Sequence, residues 1–194
     1  AKKLRKDIDK LSSCTKKQGN QEKFWFKYFF DLAKSLDYQV PYRAVELANS
    51  AFKYVHDDSE RVKCLNLIGI AYEHTSNDKD LAIKPLEEAI RLEPDNSIAL
   101  ATLGRVLYCL DQPFEKIGSY FLRAIYIDPE NKWAKSWYAL ALSREGLHDA
   151  AIEYAKASLG ESSDFALLFN LALVLDASPD PCICRQALVF GQQA

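Results

Sequence analysis

Methionine is missing from all 194 residues, position 1 included, which suggests a chain processed or excised from something longer. Glycine and proline are scarce, at 7 residues each. Strand-and-turn architectures use both at their reversals, so the shortage favours helices with short connections. Long hydrophobic runs are also missing. The longest, Phe165 to Leu175, is too short to span a bilayer and is interrupted by Asn170, so no membrane insertion is expected. The first residues are charged and lack an apolar centre, so they do not read as a secretory signal. A charge excess of one sign is absent too. The formal net charge of −2 argues against a general nucleic-acid binder and against DNA in particular.

The five cysteines, Cys14, Cys64, Cys109, Cys182 and Cys184, are odd in number, and three of them stand far apart. That pattern suits reduced thiols in a cytoplasmic, reducing compartment rather than a disulfide framework. Metal-ligand spacing is lacking. His56, His74 and His148 are widely separated, and Cys182-Ile183-Cys184 is a lone C-x-C. No phosphate-cradling glycine loop and no nucleophile elbow occurs. The acidic cluster Asp57-Asp58-Ser59-Glu60 precedes a helix, where capping explains it more simply than acid-base chemistry. Neither catalysis, a metal, a cofactor nor a small-molecule substrate is therefore expected.

What is present is apolar content of 48%, enough to fill a core, arranged with a period. Leu67-Ile68-Gly69-Ile70-Ala71-Tyr72 leads to Ala89-Ile90-Arg91-Leu92-Glu93-Pro94-Asp95-Asn96. The same signature returns in Thr102-Leu103-Gly104-Arg105-Val106-Leu107, leading to Ala124-Ile125-Tyr126-Ile127-Asp128-Pro129-Glu130-Asn131. A fixed period of this size marks a solenoid of stacked units. Such a fold offers an extended concave surface rather than a catalytic cleft.

Three- and four-residue apolar steps predict helices in pairs. They run over 24–36 and 42–54, 61–74 and 79–92, 97–110 and 114–126, 132–145 and 149–159, and, less regularly, 165–175 and 182–190. Pro94 and Pro129 end helices, since proline lacks the amide hydrogen and clashes with the preceding turn. Asp149 and Asp164 are expected to cap the helices after them. The Gln112-Pro113 step and Gly146 mark turns inside pairs. Gly69 and Gly104 sit inside helices, at a cost of about 1 kcal/mol each relative to alanine. A close approach of the paired helix is expected to offset this, with small Ala89 and Ala124 opposite. Residues 1–21 form a basic helix or tail, with Leu4, Ile8 and Leu11 on one face, packing on the first pair or serving as an arm for an acidic partner.

These residues resemble the tetratricopeptide repeat, a helix-turn-helix unit of about 34 residues. The unit from Val62 carries Leu65, Ile68, Gly69, Tyr72, Ala82, Leu86, Ala89 and Pro94 at the family's positions. The unit from Ser97 carries Leu100, Leu103, Gly104, Leu107, Phe121, Ala124 and Pro129. Both hold one extra residue between their helices. The unit from Lys132 matches through Tyr138, Ala139, Leu142, Gly146 and Ala151. The unit from Glu22 is supported by Trp25, Ala44, Ala48 and Ala51, and that from Phe165 by Leu168, Leu171, Ala172 and Leu175. The expected array covers 22–190, with units near 22–61, 62–96, 97–131, 132–164 and 165–190.

The resemblance implies an all-α solenoid of about five helix pairs in a right-handed superhelix, with first helices lining the concave groove. Its register places Lys23, Phe26, Phe30, Lys34, Lys63, Asn66, Ile70, His74, Arg105, Tyr108, Trp133, Ser136, Trp137, Arg144, Phe169 and Asn170 toward that groove. Of these, Lys63, Asn66, His74, Arg105, Tyr108, Trp133, Ser136, Arg144, Phe169 and Asn170 are the candidate partner-binding residues. Aromatics supply contact area while cations and amides fix orientation, a mixture suited to a peptide or protein segment. Lys63, Arg105 and Arg144 favour an acidic one. Phe26, Phe30 and Trp137 have a competing reading as inter-helix core. Phe26 and Phe30 stand where co-chaperone members of the family need lysine and asparagine to clamp a C-terminal carboxylate, so that specialised activity is not expected.

The expected function is a non-catalytic adaptor or scaffold. Two alternatives stay open. One is a structural subunit or homo-oligomer, for which the apolar Leu188-Val189-Phe190 would supply surface. The other is a single-stranded RNA binder using aromatics and scattered cations, which would show steep salt dependence. Under the adaptor reading, Arg105→Glu with Arg144→Glu weakens partner binding and leaves helicity intact.

Overall fold

An apolar stripe on each helix must be covered, and the short connections leave the neighbouring helix as the nearest cover. That is the arrangement in a computed structural model describing residues 18–36, 39–160 and 164–180. The described residues form two compact units, divided between Leu92 and Glu93. In the first, α1 (Gln18–Lys34) packs on α2 (Pro41–Phe52) and α2 on α3 (Asp58–Glu73). A 3-10 turn (Lys79–Ala82) then leads into α4 (Ile83–Leu92), and both lie against α3. In the second unit, α5 (Ser97–Cys109) pairs with α6 (Phe114–Ile127), and α7 (Lys132–Arg144) with α8 (His148–Leu159). The last described helix, α9 (Phe165–Asp176), packs on both α7 and α8. No strand occurs among the described residues. The all-α, paired-helix architecture is the one expected. The basic N-terminal segment, Cys14, Cys182, Cys184, Leu188-Val189-Phe190 and the second half of the fifth pair lie outside the described residues.

Capping separates the two kinds of helix. Each first helix from α3 onward begins under a side chain that accepts backbone N–H bonds. Asp57 takes Glu60 N, Asn96 takes Ala99 N, Asn131 takes Ala134 N, and Asp164 takes Ala166 N and Leu167 N. The second helices α2, α6 and α8 start after Val40, Pro113 and Leu147 with no side-chain cap. The expected Asp149 cap is therefore corrected. Asp149 lies inside the first turn of α8, where its charge favours the positive end of the helix. The expected continuous helix over 79–92 is divided as well. Pro85 has no N–H to donate to the residue four earlier, so the segment opens as a 3-10 turn and becomes α-helical only from Ile83.

The close approach at the helical glycines is real, but the group that presses is different. A Cβ on Gly69 would lie 2.5 Å from the Leu86 side chain, and one on Gly104 would lie 3.0 Å from the Phe121 ring. Leu86 and Phe121 are themselves fully buried. Glycine is kept so that a large side chain of the paired helix can lie on the backbone. Ala89 and Ala124, also fully buried, do not fill the space above the glycines.

Asp111 and Gly146 occupy equivalent places. Each follows a first helix with positive φ, 49° at Asp111 and 78° at Gly146. Gln112 N donates to Leu107 O and Asp111 N to Tyr108 O, while Leu147 N donates to Leu142 O and Gly146 N to Ser143 O. These are two copies of one helix-terminating turn. Glycine adopts this backbone freely, and aspartate is among the few other residues that take it, at a greater cost than glycine.

Candidate functional site

In the second unit the first helix α7 neighbours both α5 and α9. Each of the three presents a stripe that is at least partly open to solvent among the described residues. On α5 the stripe is Ile98, Ala101, Arg105 and Tyr108, with Ile98 exposed. On α7 it is Trp133, Trp137 and Arg144, with Trp133 45% exposed. On α9 it is Phe165, Phe169 and Leu173, all exposed, with the Phe165 and Phe169 rings stacked at 6.3 Å.

The α5 and α7 stripes interleave. The Arg105 guanidinium lies 5.4 Å from the centre of the Trp137 ring. Trp137 meets Tyr108 edge to face at 5.8 Å. The Arg144 guanidinium lies 4.2 Å above Tyr108. Arg144 Nη1 also donates to Tyr108 O at 3.1 Å and to Asp111 Oδ1 at 3.0 Å. The result is a ladder of cation, indole, phenol and cation, held at one end by a carboxylate. Burial lowers the Arg105 pKa to about 10, with Cys109 opposing the shift. Burial raises that of Tyr108, against the pull of Arg144. Trp137 Nε1 is buried and meets no acceptor among the described residues.

The candidate residues separate into groups. Arg105, Tyr108 and Arg144 come together with Trp137. Ser136 and Asn170 are both buried and bond to each other, Asn170 Nδ2 donating to Ser136 Oγ at 2.9 Å. They join α7 to α9, and little of either reaches the surface. Trp133 and Phe169 are half exposed. Lys63, Asn66 and His74 belong to the first unit, where Lys63 is exposed and His74 Nδ1 lies 3.3 Å from the buried Glu73 carboxylate. Of the wider set in that unit, Phe26 and Phe30 stack on each other at 5.7 Å and pack with Ala51 and Cys64, so they are core. Lys23 and Lys34 are exposed.

Sequence reasoning missed Asp111, Ile98 and Leu173. Asp111 carried a legible signal, since it stands where the following unit has the turn glycine Gly146.

Among the described residues, no three of His, Cys, Asp and Glu converge as metal ligands. No helix among them is long and apolar enough to cross a membrane.

The tetratricopeptide repeat profile matches residues 62–96. A tetratricopeptide repeat is matched there, and for that unit the resemblance read from the sequence is borne out. Crystal structures of MamA share the fold. One is superposable with a TM-score of 0.60 at 17% identity, over 87% of this chain and 89% of that one. MamA from Desulfovibrio magneticus RS-1, from residue 41 onward, gives 0.62 at 14% identity, over 87% and 92%. Among curated proteins, FlbA of Caulobacter vibrioides is 28% identical over 120 residues, or 62% of this chain and 20% of FlbA. The chain thus spans about a fifth of the length of that relative. A protein-interaction scaffold is the kind of function these findings support.

Proposed function

We propose that the protein is a non-catalytic adaptor whose α5–α7–α9 face binds a segment of another protein, with acidic residues of that segment set against Arg105 and Arg144. The observation that carries this reading is the ladder of Arg105, Trp137, Tyr108 and Arg144. Rigid aromatics provide contact area at little entropic cost, and planar guanidinium groups select carboxylates. Half-exposed Trp133 on α7 and Phe169 on α9 add apolar area. The site is built by side chains at the surface of a repeat, and the repeat alone does not specify the ligand.

The test is affinity capture from extract with the native protein beside Trp133→Ala and Arg144→Glu. Arg105 is less suitable for charge reversal, because it is half-buried against the Trp137 ring and a carboxylate there would be poorly solvated. Loss of one captured protein from both variants, with unchanged helicity, supports the reading. Capture that survives both variants refutes it. A second reading, a subunit whose second-helix side is covered in an assembly, draws on α6. Tyr126 there is 87% exposed and Leu122 45% exposed. Concentration-dependent self-association lost in Tyr126→Ser would favour that reading.

A further inference from the structure

We propose that Asp111 is a positioning residue: it holds Arg144 so that the Nε–Nη2 edge of the guanidinium is presented to a carboxylate of the bound segment. This rests on the groove reading above and adds the residue that sets its geometry. Arg144 makes both of its described hydrogen bonds through Nη1, to Tyr108 O and Asp111 Oδ1. The Tyr108 ring, 4.2 Å from the guanidinium carbon, packs against the group. Nε and Nη2 donate to nothing among the described residues, and together they form an edge that matches a carboxylate bidentately.

The backbone at Asp111 points the same way. It has a positive φ of 49°. The equivalent place one unit later holds Gly146, which takes that conformation without strain. A strained residue persists where its side chain has a role, and such residues gather at ligand clamps. Asp111 is highly exposed, its side chain 90% accessible, so it contributes little to the core. Among the described residues its side chain bonds to Arg144, across the gap between α5 and α7.

The test separates holding from charge. Asp111→Asn keeps an oxygen to accept from Nη1 and tolerates the backbone. Asp111→Gly removes the hold and relieves the backbone. The probe is a labelled peptide of alternating glutamate and leucine with one phenylalanine, blocked at both ends, beside its glutamine counterpart. The Asn variant should bind the glutamate peptide as the native protein does. The Gly variant should bind about fivefold more weakly, because a long side chain must then be ordered on binding. Its thermal midpoint should stay level or rise. The Arg144 Nε–H signal, distinct in the native protein and the Asn variant, should average with exposed arginines in the Gly variant.

Binding by the Gly variant that equals or exceeds native overturns the proposal, since Asp111 would then compete for Arg144. Equal weakening in Asn and Gly also overturns it, assigning the effect to charge. If Arg144→Gln weakens binding and Asp111→Gly does not, only this inference fails. If the native protein binds neither peptide, or Arg144→Gln binds as native does, the groove reading fails and takes the inference with it.

Discussion

Three helical glycines with different surroundings make the residue-scale account testable. At Gly118 an added Cβ would meet Tyr138 at 3.6 Å, an ordinary contact. Gly118→Ala should therefore stabilise, by up to about 1 kcal/mol from helix propensity alone. At Gly69 the same methyl would lie 2.5 Å from Leu86. Overpacking costs about 1–3 kcal/mol, so Gly69→Ala should be destabilising despite its propensity gain. Urea unfolding of both variants checks the opposite signs. The need for a close approach at Gly69 and Gly104 was legible from glycine inside a helical pattern. The identity of the pressing side chain was not, because spacing alone does not tell which residue of the facing turn lies directly opposite.

The thiols differ in the same local way. Cys64 is fully buried, and burial pushes its pKa up from 9.0 to about 12, with Glu60 adding to the shift, whereas Cys109 is exposed. Native alkylation followed by peptide mapping should label Cys109 quickly and Cys64 only on unfolding. Since the proton is held more tightly in the fold, the stability contributed by Cys64 is intact below pH 9. It is lost as pH rises from there toward about 12.

At the scale of the element, the first helices from α3 onward depend on side-chain caps and three second helices do not. Asn96→Ala and Asn131→Ala should each cost about 1 kcal/mol, measured as a drop in the urea midpoint without a change in slope. Val40→Ala, at an uncapped start, should change little by comparison. Helix existence was legible from apolar spacing for every helix among the described residues, and most boundaries fell within a residue or two. The exceptions have local causes. Pro85 changes the first turn before α4, and α3 begins at Asp58 rather than 61 under its Asp57 cap; α1 begins at Gln18 rather than 24. Gly146 was recognisable as a turn, and its equivalent at Asp111 was legible only by setting the two units in register, since aspartate by itself does not mark it.

At the scale of the whole molecule, the repeat period made the paired-helix fold legible before any contact was known. The site was legible in part. Arg105, Tyr108 and Arg144 share a stripe by register alone, and they do meet. Ser136 and Asn170 have the same register but are withdrawn by their mutual hydrogen bond. Which of two groove-facing polar residues bonds to its neighbour depends on helix separation, which a single sequence does not encode. The division between Leu92 and Glu93 was likewise invisible in a continuous period.

The central claim concerns which face binds, and photo-crosslinking reads that most directly. A photoreactive residue would replace Trp133, Phe169 or, on the opposite helices, Tyr126, in otherwise native protein exposed to extract. The account predicts the same crosslinked protein from positions 133 and 169 and none from 126, with the 133 product lost in Arg144→Glu. Crosslinks from position 126 alone would contradict it and move the binding surface to the second helices.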